Sequence, residues 1–316
     1  MFKNKINNCV IIGSGPAGYS ASIYAARADL NPIMFMGSMP GGQLTTTHYI
    51  DNYLGYPQGI NGSQFMEFCK EQAKKFKVIL IPKNVIQVEL SDKKGGIHYI
   101  YYSKKEYIRS IGLIIATGSN PKLLGIDIKK EKELLGLGIS FCATCDGFFH
   151  KGKDVAVVGG GDTALEEAIF LSKICNNVYL LVRKNYFKAS KILQTIIFQK
   201  KNIKIFFCSH IVKFIGKQFL EGIKVFDSKN EKSYTILISG LFIAIGHVPN
   251  TKIFKNQIIM DNLGYISVQN GNTSTNKPGV FAAGDVQDPI YRQAIISAGT
   301  GCMAALDLDK YLNNIL

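Results

Sequence analysis

The chain has 316 residues, 47% of them hydrophobic and 19% charged, the profile of a soluble globular protein long enough for two cores. Its formal net charge of +14 would suit a nucleic-acid or membrane-surface binder, but the lysines are scattered and no basic stripe with interleaved aromatics stands out. A general bias toward Lys, Asn, Ile, Phe and Tyr accounts for the charge, so neither a nucleic-acid nor a membrane partner is expected.

The chain opens on polar residues up to Asn8, with no apolar stretch of signal-peptide length. Cys9 to Ile12 predicts a short buried strand and Tyr19 to Arg27 a helix, followed by a strand over Asn31 to Met36. Between the first strand and the helix stand Gly13, Ser14, Gly15, Pro16, Ala17 and Gly18. This is the β-α-β pattern whose glycines allow a tight turn, a close approach of pyrophosphate to the backbone, and close packing of helix on strand. Phosphates on the helix N-terminus meet free N–H groups and the positive end of the dipole. The acidic residue that usually ends the second strand is absent, since Met36, Gly37 and Ser38 stand there. A ribose at that point must be held by hydroxyl or backbone groups. Leu113 to Gly118 predicts a further strand ending in a small-residue turn at Thr117 and Gly118.

The pattern then repeats. Asp154 to Val158 predicts a strand, Gly159, Gly160, Gly161, Asp162, Thr163 and Ala164 a turn, Leu165 to Lys173 a helix, and Val178 to Val182 the next strand. Arg183, Lys184, Lys188 and Lys191 follow where the fold tests the ribose, with no carboxylate among them. Basic residues there favour a 2′-phosphate, hence NADPH over NADH. Ile236 to Ile245, the longest apolar run, holds Ser239 and Gly240. It is well short of the ~20 residues that span a bilayer and predicts a buried strand. Leu241 to Gly246, within and just beyond it, predicts an apolar strand ending in a small-residue turn. Gly279 to Asp285 gives a strand ending in Gly284 and Asp285, and Ala294 to Leu308 a helix. Asp285 suits either a ribityl hydroxyl or the N-cap of that helix.

Seven cysteines are present. Five are isolated in or beside apolar patterns and read as buried free thiols. Cys142 and Cys145 are the one close pair, either redox-active or half of a metal site. Zinc needs four ligands, and His150 alone does not complete the set, so no metal is expected.

Taken in order, these motifs, with Gly41, Gly42, Gln43 and Leu44, the run Cys142 to Gly147, Gly246 to Asn250, and Tyr291 to Ala294, resemble the bacterial low-molecular-weight thioredoxin reductases over nearly the whole chain. The resemblance implies an α/β fold of two Rossmann-like dinucleotide-binding domains, with the NADPH domain (119–247) inserted into a discontinuous FAD domain (1–118 and 248–316). It implies a cytoplasmic homodimer that passes electrons from NADPH through FAD and the Cys142–Cys145 disulfide to thioredoxin. Cys145 would then face the flavin, Cys142 would attack the partner, and Asp146 would protonate the departing thiolate. FAD would be held by Gly13 to Ala17, by Met36, Gly37, Ser38, Met39, Pro40 and Gly41 to Leu44, by Asn52, Thr117 and Gly118, and by Gly284, Asp285, Arg292, Gln293 and Ala294. NADPH would be held by Gly159, Gly160, Gly161, Asp162, Thr163, Arg183, Lys184, Lys188 and Gly246. The family pattern has arginines where Lys184 and Lys188 stand and commonly Asn in place of Asp162. Lysine offers a point charge where arginine offers a fork, so NADPH preference is expected to survive with weaker discrimination against NADH. The Asp162 carboxylate is mildly unfavourable beside a pyrophosphate unless it faces away.

The flavin motif lies in the first domain, and the nicotinamide motif and the Cys pair lie in the second. A rotation of the second domain about Ser119 to Lys122 and Gly246 to Thr251 is expected to bring each in turn to one flavin. The competing readings are the same relay with another acceptor, a peroxiredoxin-type protein or a small dithiol, and a zinc-bearing basic binding module.

Overall fold

The structure is a computed structural model that describes residues 5–47 and 49–315. It divides into two units, one made of Met1–Asn120 with Val248–Leu316 and the other of Pro121–His247.

The first unit is built on a five-stranded parallel sheet in the order Val280–Ala282, Leu113–Ile115, Val10–Ile12, Ile33–Phe35, Ile79–Ile81. All its strands but the edge strand Ile79–Ile81 are buried along their whole length, as a parallel sheet covered on both faces requires. Helix Pro16–Arg27 presents Ala17, Ala21 and Ala25 inward, and small residues let it lie close to the long helix Ala294–Asn313. One face of the sheet packs under these helices through Ile11, Met34 and Ile114. The alternate residues Val10, Ile33, Phe35 and Ile115 pack on the opposite face with Val88, Ile100 and Ile108 of a second, four-stranded sheet. The strand register sets this division, because successive side chains point to opposite faces.

The second unit repeats the plan. Its parallel sheet runs Ile139–Ser140, Gly240–Ile243, Val155–Val158, Val178–Val182, Ile203–Phe207. Helix Asp162–Leu171 buries Ala164, Leu165, Ala168 and Leu171 against one face. A three-stranded antiparallel sheet, Ser209–Ile215, Gly222–Asp227 and Lys232–Leu237, covers the other face through Ile211, Phe214, Ile223 and Val225.

The apolar run Ile236 to Ile245 is two strands, not one. Lys232–Leu237 belongs to the antiparallel sheet and Gly240–Ile243 to the parallel sheet. Ser239 and Gly240 make the break. The Ser239 N–H donates to the Asp154 carbonyl at 2.9 Å, and a Cβ on Gly240 would lie 2.8 Å from the His150 ring. The helix after Gly279 to Asp285 is capped by Gln293, so Asp285 is not its N-cap. Of the isolated cysteines, Cys9 and Cys175 are buried, while Cys69, Cys208 and Cys302 are only half-buried.

Candidate functional site

In the first unit, Gly13 turns the chain from strand Val10–Ile12 into helix Pro16–Arg27 with φ +113°. A Cβ there would stand 2.0 Å from the Ala116 carbonyl oxygen, so only glycine fits. Gly15 is different. Its backbone is ordinary (φ −71°, ψ −174°), and a Cβ on it would meet nothing within 4 Å. The open space lies on the first turn of a helix with Pro16 at its start, no side-chain cap and no acidic residue. The first-turn N–H groups are thereby left for an outside acceptor. Open space over free helix N-terminal N–H groups is the kind of place where a phosphate group can be held.

Around it, the Ser14 hydroxyl donates to the Met36 carbonyl at 2.7 Å and accepts the Gly41 N–H at 3.1 Å, tying the turn to the segment Met36 to Gly41. Ser38, Met39 and Pro40 are exposed on that segment, and Gly42, Gln43 and Leu44 form a 3-10 turn that ends at Thr46. The Gln43 amide donates to the Ser119 carbonyl. Thr117 and Asn250 exchange hydrogen bonds at 2.9 Å, beside Gly118. Asn52 donates to Gln293 at 3.3 Å, just ahead of Ala294 at the start of the long helix. The Gly284 N–H donates to Thr300 at 2.9 Å, and the Ser297 hydroxyl donates to the Asp285 carboxylate at 3.0 Å. Burial pushes the Asp285 carboxyl up to about 6, against the Ser297 hydrogen bond and with a small further push from Asp288; the Arg292 charge pulls it down.

In the second unit, Gly159 occupies the place of Gly13, with φ +150° and a would-be Cβ 2.4 Å from the Ala244 oxygen. Gly161 matches Gly15, since a Cβ on it would again meet nothing within 4 Å. The basic segment lies against this turn. The Lys188 and Ala189 N–H groups both donate to the Gly160 carbonyl, at 2.7 and 3.2 Å. The Ser190 N–H donates to the Asp162 carboxylate at 2.8 Å, so that carboxylate is turned onto the basic segment. Phe187 and Ala189 are buried anchors, while Arg183, Lys184 and Lys188 are exposed. Thr163 is half-buried on the helix, and the Gly246 carbonyl accepts the Lys122 N–H at 3.0 Å.

Cys142 and Cys145 are joined as a disulfide. Cys142 precedes the single turn Ala143–Asp146, and its sulfur accepts the Cys145 N–H at 3.2 Å. The Ser140 hydroxyl accepts the Cys142 N–H at 3.0 Å and donates to Asp146 Oδ2 at 2.6 Å. Burial raises the Asp146 carboxyl above the ordinary carboxylate range, with the Ser140 hydrogen bond pulling the other way. The Ala143 N–H donates to Glu167 at 3.4 Å. His150 packs edge-on to Phe242 and bonds Ser239 at 3.0 Å, and burial pushes its imidazole down to about 4. No group of metal-ligating side chains forms among the described residues.

Ser140, Glu167 and Tyr186, which bonds Lys184, stand beside these features and are not singled out from the sequence. Glu167 is 24 residues from the Ala143 N–H it accepts, a distance that no local motif spans. Ser140 has a weak signal, a hydroxyl two residues before a redox Cys. Among the described residues, no helix is long and apolar enough to cross a membrane.

The sequence profile described as pyridine nucleotide-disulphide oxidoreductase matches residues 7–301. A thioredoxin reductase of Coxiella burnetii is 44% identical over 323 aligned residues, covering 100% of this chain and 99% of the relative. The solved thioredoxin reductase of Giardia duodenalis superposes with a TM-score of 0.90 at 36% identity, covering 96% of this chain and 98% of the other. That of Streptococcus pyogenes gives 0.91 at 32%, covering 99% and 100%. The glycine cradles, the closed Cys pair and these likenesses together make the chain a member of the pyridine nucleotide-disulphide oxidoreductases, in their thioredoxin reductase group, a family that uses a flavin and a pyridine nucleotide.

Proposed function

We propose that the protein is a thioredoxin-disulfide reductase, taking two electrons from NADPH by way of FAD and the Cys142–Cys145 disulfide to oxidised thioredoxin. The observation that carries this reading is the closed Cys142–Cys145 pair in the unit that also holds the second glycine cradle. FAD, when bound, supplies the two-electron link between nicotinamide and disulfide.

The residues fit both dinucleotides. The open face of Gly15 and the uncapped first turn after it suit the FAD pyrophosphate, with Asp285 an acceptor for a ribityl hydroxyl. Gly161 offers the same open face to the pyrophosphate of NADPH, and Arg183, Lys184 and Lys188 offer positive charge to its 2′-phosphate.

After reduction of the pair, the Cys142 thiolate attacks a sulfur of the thioredoxin disulfide and forms a mixed disulfide, releasing one thioredoxin thiolate. Cys145 then attacks Cys142 Sγ. The Cys142–Cys145 bond closes, and the second thioredoxin sulfur leaves. The Cys145 N–H that reaches Cys142 Sγ favours the thiolate there. Asp146, whose carboxyl burial raises above the ordinary range, supplies a proton to a departing thiolate. The net change consumes NADPH, one proton and a disulfide and yields NADP⁺ and a dithiol.

Because the flavin cradle lies in one unit and the Cys pair in the other, turnover requires the second unit to rotate about its two crossings, Ser119–Pro121 and His247–Pro249. An engineered cross-link between the units should stop turnover and leave FAD bound. Full activity in the locked form would sink the rotation. The chain acts as a cytoplasmic homodimer.

NADPH oxidation by the purified yellow protein with a cognate thioredoxin, beside a Cys142→Ser, Cys145→Ser double variant, tests the relay. The double variant should reduce its flavin and leave thioredoxin oxidised. A wild type that reduces its flavin but not thioredoxin would mean another acceptor.

A further inference from the structure

We propose that Tyr186 is a specificity-determining residue: its hydroxyl and the Lys184 ammonium together form a two-atom donor site for the nucleotide 2′-phosphate. The proposal rests on the NADPH reading above and names the groups that execute it.

A lysine in place of an arginine fork is a point charge on a flexible stem. Here the ammonium has a partner. Lys184 Nζ donates to the Tyr186 hydroxyl at 2.8 Å and sits 4.9 Å from the centre of the Tyr186 ring. Other lysines lie over tyrosine rings in this chain, as Lys83 does over Tyr102 and Lys204 over Tyr179. Lys184 adds a hydrogen bond to the phenol oxygen, which pairs the two polar atoms.

The donor count matches the task. The Tyr186 oxygen accepts one ammonium proton, which leaves its own O–H and two ammonium protons to donate. Two donor atoms at hydrogen-bond distance from one another can engage two oxygens of one phosphate, as a guanidinium does. The Lys184 hydrogen bond and charge both acidify the phenol, which strengthens its O–H as a donor.

Position supports the same reading. Tyr186 is 51% exposed and does not serve the core, whereas its neighbour Phe187 is buried. Both follow strand Val178–Val182 on the segment whose Lys188 and Ala189 N–H groups are bonded to Gly160, within the glycine turn itself. Lys184 and Tyr186 therefore project from a backbone held against the turn that would receive the pyrophosphate.

The test is calorimetric titration of the FAD-loaded protein with 2′-AMP and with 5′-AMP, for wild type, Tyr186→Phe, Lys184→Ala and the double variant. Wild type should bind 2′-AMP more tightly. Tyr186→Phe should weaken 2′-AMP about tenfold and leave 5′-AMP within about twofold. The double variant should be little worse than Lys184→Ala alone, because one site is being removed twice. Lys184→Arg in the Tyr186→Phe background should recover most of the 2′-AMP affinity. Unchanged 2′-AMP binding in Tyr186→Phe, equal losses for the two nucleotides, or strict additivity would overturn the proposal. Equal binding of the two nucleotides by wild type would instead overturn the NADPH reading on which it stands.

Discussion

Ser140 and Asp146 are joined by a 2.6 Å hydrogen bond in which the hydroxyl donates and the carboxylate accepts. The same hydroxyl accepts the Cys142 N–H at 3.0 Å, so one side chain touches both the proposed acid and the proposed attacking residue. Burial raises the Asp146 carboxyl and this bond lowers it. Ser140→Ala removes the lowering influence, so Asp146 should stay protonated to higher pH. The alkaline limb of the pH profile for thioredoxin reduction should then move upward. Asp146→Asn should slow that step about 100-fold, with flavin reduction by NADPH unchanged. Stopped-flow traces of the two half-reactions across pH separate the effects. An alkaline limb that does not move in Ser140→Ala would remove Ser140 from this role.

Gly13 and Gly15 sit two residues apart, and the structure gives them different duties. A Cβ on Gly13 would strike the Ala116 backbone oxygen, and φ is +113°. Gly13→Ala should therefore cost about 2–4 kcal/mol of stability whether or not flavin is present. Gly15→Ala meets no protein atom and should leave the melting temperature of the flavin-free protein nearly unchanged. Its FAD affinity should fall about tenfold or more, because the methyl group enters the space of the pyrophosphate. Thermal scans with and without FAD distinguish the two. A Gly15→Ala protein with normal flavin affinity would dismiss that space as the cofactor cradle.

Much of this molecule was legible in the sequence because its signals are local. A strand, a glycine turn and an Ala-rich helix are adjacent residues, and the turn geometry at Gly13 and Gly159 follows from the steric properties of glycine alone. The strand read over Leu241 to Gly246 is found at Gly240–Ile243, but the separate strand Lys232–Leu237 before the break at Ser239 and Gly240 was not legible. The break packs against His150, 90 residues away from Gly240 in sequence, and hydropathy cannot distinguish one buried strand from two. The stitching of Lys188 and Ala189 to Gly160 was hidden for another reason. It uses backbone groups, which carry no residue signature. The Asp285 carboxylate looked like a helix cap because it precedes an apolar helical pattern, but eight residues separate it from Gln293, the observed cap.

Asp285 should make the flavin-free protein sensitive to pH. Its carboxyl stands at about 6 in the fold against an ordinary value of 3.8. Between those values the folded state holds a proton that the unfolded state has lost, so stability falls as pH rises through this window. Above pH 6 the full penalty applies, on the order of 3 kcal/mol. Asp285→Asn keeps an acceptor for Ser297 and removes the charge. It should stabilise the flavin-free protein at pH 7 and flatten its melting temperature between pH 4 and pH 6, about the two pKa values. The same change should weaken FAD. Denaturation curves of the two flavin-free proteins at matched pH measure the difference, and parallel pH profiles would refute the buried-carboxylate account.

Asp162 places a negative charge in the first turn of helix Asp162–Leu171, beside the proposed pyrophosphate cradle at Gly161. Its Oδ1 accepts the Ser190 N–H at 2.8 Å, a bond that an asparagine oxygen can also accept. Asp162→Asn therefore leaves the basic segment tied down and removes only charge. The helix loses a favourable dipole interaction of about 0.5 kcal/mol, so the melting temperature should drop slightly. NADPH loses a repulsive neighbour, so its KM should fall about two- to fivefold at low salt, with the gain shrinking as ionic strength rises. Asp162→Ala removes the Ser190 tie as well as the charge and should reduce discrimination between NADPH and NADH, because the segment bearing Lys184 is then held to the turn only by the Lys188 and Ala189 N–H bonds to Gly160 and its buried anchors. Steady-state kinetics with both nucleotides at low and high salt compare the two variants. Equal KM values for Asp162→Asn and wild type at low salt would mean that the carboxylate charge does not reach the nucleotide phosphates.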